Sequence, residues 1–325
     1  IIKSFGIFDR YCKKLYNVSG NITRKFCKNH KSMNWNIFGD KNLKEKVKKQ
    51  LKKLNWEVDF NIVLGLLKPT ISVKTKIAKE KIKIGKSKFG GLPDLPKETK
   101  WPSLNGFPFA FIGQINLEEI KFDIENKLPK KGILYFFFST NQTDYQSEPF
   151  NKIHKVLYFN ENVDDLKTQD YPINYNDLAK FKECIIEYSE HYSLPSYQNY
   201  QIIENGFSDE DENLLFEANE LICEITGAKQ DVGHQILGNA NAVQGDVSYW
   251  WANQNYNLEN EINEKKKTEI QKNEKEIILL LQIDMLDENP EFSKFGASGG
   301  IYFGIKKQDL ENGNFENTKF VIQNS

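Results

Sequence analysis

The feature that most limits what this chain can fold into is a pattern that occurs twice. Gln114-Ile115-Asn116 recurs as Gln282-Ile283-Asp284, and Gly132-Ile133 recurs as Gly300-Ile301, both at an offset of 168 residues. In each case 18 residues separate the glutamine from its glycine. Upstream, Gly91 matches Gly238, but these lie 23 and 44 residues before their glutamines. The excess of 21 is close to the 20 residues of the charged stretch 257–276, which therefore reads as an insertion into the second copy. A single pair of copies implies a pseudo-two-fold unit and not a solenoid. The first copy is placed at about residues 87–160 and the second at about 234–325, within a domain spanning 69–325.

Hydrophobic periodicity fills in the elements. Leu43, Val47, Leu51 and Leu54 fall on one face of an expected helix over Asn42–Leu54, capped by Asp40 or Asn42. Thr70–Ile84 alternates like a strand after Pro69, and the Gly- and Pro-dense segment Ser87–Pro96 reads as a loop. Strands are expected over Phe107–Leu117, Ile133–Phe138, Val156–Phe159, Ile277–Ile283 and Ile301–Ile305. Asp209–Thr226 carries an apolar stripe behind an acidic first turn, the pattern of a helix whose dipole is complemented. Residues 171–205 are polar with scattered aromatics and read as mixed structure, and 257–276 as a solvated helix or mobile insertion. The expected fold class is α+β: a duplicated, β-rich pseudo-two-fold unit with mixed or antiparallel sheets and flanking helices. A partly helical, basic extension over residues 1–68 precedes it.

Charge is divided along the chain. Residues 1–100 hold 25 Lys and Arg against 8 Asp and Glu, whereas the remainder holds 19 against 37. A basic first third raises nucleic acid as a partner, but Arg10 and Arg24 are the only arginines, and bidentate phosphate and base contacts favour arginine. The Lys-, Asn- and Ile-heavy composition fits a coding bias better, so a nucleic-acid partner is disfavoured. No apolar run approaches the roughly 20 residues of a membrane span. The chain opens Ile1-Ile2-Lys3 with no signal segment and reads as an intracellular, interior piece of a longer protein. Cys12, Cys27, Cys184 and Cys223 have neither CxxC nor zinc-finger spacing and read as free thiols.

The motifs in order resemble the YwqG family, a bacterial domain family of unknown function. They are Ser87-Lys-Phe-Gly-Gly-Leu-Pro-Asp-Leu-Pro96, Gln114-Ile-Asn-Leu117, Pro129-Lys-Lys-Gly-Ile-Leu134 and Val156-Leu-Tyr158, then His234-Gln-Ile-Leu-Gly238, Gln244-Gly-Asp246, Leu279-Leu-Leu-Gln-Ile-Asp284, Ser298-Gly-Gly-Ile-Tyr-Phe303 and Asp309-Leu310. The resemblance covers about residues 70–325 and implies a duplicated, cytoplasmic α+β domain with no established chemistry. The chain departs from it at Gly238-Asn239-Ala240, where Gly-Tyr-Pro is usual. It departs again at Phe295-Gly296-Ala297, where Trp-Gly-Asp is usual, so the family acid is replaced by Ala297.

Six polar residues are the candidate ligand site: His234, Asp246, Gln244, Gln114, Gln282 and Asp284. A primary amide at a strand end can satisfy backbone groups of an adjacent loop, and duplication of both glutamines favours that role over catalysis. His234 is the best general-base candidate, with Asp246 twelve residues on to orient it. Asp284, Asp287 and Glu288 read as a solvated acidic loop, and Tyr249-Trp250-Trp251 as core beneath the insertion. No cofactor, metal cluster or complete catalytic constellation emerges. The leading expectation is a non-enzymatic protein- or ligand-binding module, such as an immunity or accessory factor with a protein partner. The alternatives are a hydrolase using His234 and Asp246 in a cleft between the copies, or nucleic-acid binding through the basic third.

Overall fold

Six consecutive apolar residues, Ile133–Phe138, can all be buried only in a strand covered on both faces. That strand lies near one end of a large antiparallel sheet. A computed structural model of the chain describes residues 42–324, apart from 123–124, 126, 161, 230–232, 255–263 and 296–297. In chain order the strands are β1 (Lys68–Ile77), β2 (Lys88–Phe89), β3 (Asp94–Pro96), β4 (Ser103–Leu104), β5 (Phe107–Pro108), β6 (Ala110–Asn116), β7 (Ile133–Phe138), β8 (His154–Phe159), β9 (Leu166–Thr168), β10 (Cys184–Ser193), β11 (His234–Ile236), β12 (Ile277–Asp284), β13 (Gly300–Lys306) and β14 (Lys319–Gln323). The helices are α1 (Leu43–Leu51), α2 (Phe60–Leu66), α3 (Gln142–Ser147), α4 (Tyr200–Glu204), α5 (Asp209–Thr226), α6 (Val247–Asn253), α7 (Glu264–Glu276) and α8 (Lys307–Glu311).

The main sheet runs β14-β13-β12-β11-β1-β10-β2-β6-β7-β8, so a central β1–β10 pair separates two four-stranded arms. Its two edges approach each other. His154 at the start of β8 lies 3.0 Å through Nε2 from the Thr318 carbonyl beside β14, and its ring stacks on Phe320 at 5.2 Å. The curled sheet encloses one core, in which Phe136 of one arm meets Phe303 of the other at 5.1 Å. Burying a side chain of this size contributes about 2 kcal/mol. The opposite face of β7 packs Ile133, Tyr135 and Phe137 against Leu95, Phe109, Phe111 and Leu166. On the opposite face of the other arm, α6 lays Trp251 on Leu279, Tyr302 and Val321. Helices α1 and α2 share a further cluster with α5, joining Leu43, Val47 and Val63 to Leu215, Ala218 and Ile222.

Several elements differ from the periodicity reading. β1 begins at Lys68 and ends at Ile77, shorter at its far end than the alternation to Ile84. Pro69 is tolerated because β11 pairs only with Ile71–Val73, so no ladder bond is required from the missing N–H. The central strand β10 sits within the segment read as mixed. Its outer positions carry charge that pairs across the sheet, with Lys74 opposite Glu187, which disguises a strand as a polar stretch. Asn42 stands at the N-cap of α1 without a side-chain cap, and Asp40 lies outside the described residues. The charged stretch becomes helix α7 from Glu264 onward, with Ile270 and Glu274 buried, while residues 257–263 lie outside the described residues.

Candidate functional site

β6 places Gln114 with no exposure, facing the loop that follows β2. Its Oε1 accepts the Asp94 backbone N–H at 2.8 Å, and its Nε2 donates to the Lys86 carbonyl at 2.8 Å and to Asp94 Oδ2 at 2.9 Å. Two residues on, the Asn116 N–H donates to Ser87 Oγ at 2.9 Å, and Asn116 Nδ2 to the Gly85 carbonyl at 2.8 Å. Asp94 is the hub of this arm. It also accepts from Gly85 N and Thr168 Oγ1, while its carbonyl accepts the Tyr135 hydroxyl. The fully buried Lys88 ammonium lies 3.1 Å from Asp94 and 2.9 Å from Glu183, so a buried charge is met by two carboxylates.

The other arm repeats these hydrogen bonds, with Gln282 and Tyr302 in the places of Gln114 and Tyr135 and His234 in the place of Ser87. Gln282 Oε1 accepts the Asn241 N–H at 2.9 Å, Gln282 Nε2 donates to the Gly233 carbonyl at 2.9 Å, and the Tyr302 hydroxyl donates to the Asn241 carbonyl at 2.9 Å. The Asp284 N–H donates to His234 Nδ1 at 3.0 Å, where Asn116 used Ser87. Leu117 N bonds the Gly132 carbonyl and Met285 N the Gly299 carbonyl. Asn116 pairs with Ile133 and Asp284 with Gly300, so Gly132 and Gly299 occupy like hydrogen-bonding positions in the two arms.

His234 is buried, and its bond from Asp284 fixes the chemistry. An imidazole nitrogen that accepts a backbone N–H has spent its lone pair, so the proton sits on Nε2. That nitrogen has no hydrogen-bond partner and lies 3.4 Å from Asp287 Oδ2, beneath Phe292 at 4.2 Å between ring centroids. Asp284 is fully buried, accepts Leu286 N at 2.8 Å and pairs with Lys229 at 2.8 Å. Burial opposes the charged form of Asp287, but the His234 Nε2–H that faces it, the Asn289 N–H and Lys229 outweigh it and hold the carboxyl below its ordinary value. The reading of Asp284 and Asp287 as a solvated loop is therefore corrected: both belong to a Lys229–aspartate cluster, which forms because the chain turns back under β12.

Asp246 is engaged elsewhere. It caps α6 by accepting Ser248 N at 2.9 Å and also accepts Tyr200 N at 3.1 Å. Gln244 is exposed, and its backbone is clamped by Gln323 of β14, which accepts Gln244 N at 3.0 Å and donates to its carbonyl at 2.9 Å. The candidate residues thus separate into His234–Gln282–Asp284 in one arm, Gln114 in the other, and Gln244 and Asp246 on the loop leading to α6. Of the aromatic triplet, Trp251 is core, while Tyr249 and Trp250 are exposed. Sequence reasoning missed Lys88, Asp94, Glu183 and Lys229. Lys88 and Asp94 both stand in the Gly- and Pro-dense segment Ser87–Pro96, whereas Lys229 is one of many lysines with no motif around it.

Among the described residues no group of three or more His, Cys, Asp or Glu side chains is placed to hold a metal ion. No described helix is long and apolar enough to cross a membrane. Residues 87–323 match the family described as Domain of unknown function (DUF1963), and the chain belongs to that family. No curated protein matches the chain.

Proposed function

We propose that this chain is a non-enzymatic module that binds a protein partner in the cytoplasm, built by duplication of one strand–loop–strand unit. The observation that carries the reading is the use made of the conspicuous polar residues. Gln114 and Gln282 are fully buried on loop backbone, and the His234 lone pair is taken by the Asp284 N–H. A general base needs a lone pair within reach of substrate, and orientation by a carboxylate. His234 has spent the one, and Asp246 is committed to α6 and Tyr200. Duplication is supported by the constant spacing of 147 residues that relates Ser87 to His234 and Asp94 to Asn241 in matching hydrogen bonds. The YwqG-like character read from the motifs falls within the same region and makes a bacterial accessory or immunity factor the working identity.

The test compares the wild-type chain with His234→Asn, whose amide oxygen can replace Nδ1 as acceptor. Both should capture the same proteins from native lysate, and neither should hydrolyse activated carboxylic or phosphate esters above background. Wild-type hydrolysis that is lost in His234→Asn at an unchanged unfolding midpoint would contradict the proposal, as would failure of the wild type to capture any protein.

A further inference from the structure

The two arms are covered unequally on their outer faces. Between β11 and β12 the chain supplies α6, whose Trp251 fills the surface over Leu279, Tyr302 and Val321. Between β2 and β6 the corresponding stretch supplies no helix but β3, which pairs with β9, the short β4–β5 hairpin and Trp101. Trp101 is fixed by its N–H donation to the Phe109 carbonyl at 2.8 Å and packs edge-on against Phe137 at 5.6 Å. The cover stops short of edge strand β8. Lys155 and Leu157 pair with Phe137 and Tyr135 and share their outward face, but among the described residues no helix covers them. What remains is a cleft of about 400 Å³ floored by Trp101, Leu104 and Leu157 and rimmed by Lys100, Lys152 and Lys155.

Its chemistry is selective. The lining holds three lysines and no carboxylate; Glu148, which is not part of it, pairs with Lys152 at 3.3 Å. The volume falls within the roughly 300–1,000 Å³ of ordinary ligand sites, with an apolar floor and a few polar groups on the rim. Apolar surface continues from the cleft on the exposed rings of Phe107, 53% accessible and paired with the lining residue Leu104, and of Phe150, 36% accessible and next in the chain to the lining residue Asn151. A compact anion would leave those rings unused. The lining also lacks the arginine forks that phosphate recognition favours.

We infer that this cleft binds an acidic peptide segment of a partner protein, seating one large apolar side chain on Trp101, Leu104 and Leu157 while the flanking carboxylates meet Lys100, Lys152 and Lys155. The inference rests on the binding-module reading and gives it a surface and a partner chemistry.

The experiment selects random dodecapeptides displayed on phage against the full chain, then titrates the recovered peptides against wild type and the neutral variant K100Q/K152Q/K155Q. Matched urea midpoints establish that the variant is folded. Recovered peptides should combine Asp or Glu with Trp, Phe or Leu, bind at least tenfold more weakly to the variant, and weaken as salt is raised. Recovery of no peptide, of peptides without acidic enrichment, or of peptides that bind both proteins equally would overturn the assignment. So would displacement of a bound peptide by a single-stranded oligonucleotide that binds the wild type more tightly. If wild type and variant capture the same lysate proteins, the module stands and the cleft assignment falls. If neither captures any, both fall.

Discussion

Gln282 bridges Asn241 N and the Gly233 carbonyl from a position with no exposure, and Gln114 does the same for Asp94 N and the Lys86 carbonyl. Replacing either by leucine keeps the volume but strands buried backbone groups. Each substitution should cost about 2–4 kcal/mol in urea unfolding, since a buried group left unpaired bears its full desolvation penalty. Lys88→Met removes the cation between Asp94 and Glu183 and should cost about 3–5 kcal/mol by the same measurement. A substitution at either position that left the midpoint unchanged would remove the anchoring role assigned to it. The sequence made the glutamines legible because they recur. It could not make the role of His234 legible, because which ring nitrogen accepts the Asp284 N–H depends on a strand 50 residues away. Lys229 was opaque for the same reason, its partner Asp284 lying 55 residues on.

At the scale of elements, the two loops that the glutamines hold share a backbone path. Gly90 has φ +65°, and Leu237, its counterpart by the 147-residue spacing, has φ +58°. A non-glycine residue there is strained by about 1–2 kcal/mol, offset in this case by burial of the leucine side chain in the core. The next residue admits no such exchange. A Cβ on Gly238 would lie 2.0 Å from Thr70 Oγ1, which itself bonds Ser193 across β1 and β10. Gly238→Ala should therefore destabilise the fold by about 3 kcal/mol, from backbone strain and overpacking together, read as a lowered urea midpoint. Helix α5 matches its sequence reading over Asp209–Thr226 because stripe and acidic first turn agree; in the structure Ser208 and Asp211 complete a capping box and Gly227 ends the helix in the left-handed region. Strand β10 is hard to read because Cys184, Ile186 and Tyr188 face the core while the other face mixes exposed Ile185 with Glu187, which answers to Lys74 across the sheet, so apolar and polar residues do not alternate cleanly. β14 was missed because five residues near the end of a polar segment carry too little period to read.

For the molecule as a whole, the sheet closes on itself through a histidine that must stay neutral. Burial is the main reason that His154 titrates at about 4, although the Phe150 and Thr318 carbonyls facing its two ring nitrogens favour the cation, and burial alone lowers His191 to about 3. An unfolded histidine titrates near 6.5. Between these values and 6.5 the unfolded chain binds the proton and the folded chain does not, so stability is complete above about pH 6.5 and is lost as pH falls. Each histidine removes about 1.4 kcal/mol per pH unit across that window. Glu274 acts in the opposite sense. Burial, then the charges of Asp246 and Glu204, raise it to about 7, so it favours the fold at low pH and loses that contribution as pH rises from its ordinary 4.5. Being partly solvated, it offsets only a fraction of the histidine effect. Urea midpoints should fall steeply from pH 6.5 to 4.5, and His191→Gln should flatten that slope whatever it does at neutral pH. A slope unchanged by the substitution would contradict the assignment.

A single lone pair separates the binding module from the hydrolase: with Nδ1 taken by the Asp284 N–H, His234 holds the end of β12 and has no nitrogen left to accept a proton. Nitrogen NMR of the chain labelled at histidine and aspartate reads this directly. The expected result is an imidazole protonated at Nε2, with unprotonated Nδ1 coupled through the hydrogen bond to the Asp284 amide. An Nδ1-protonated ring with no such coupling would leave the Nε2 lone pair available as a base, and would contradict it.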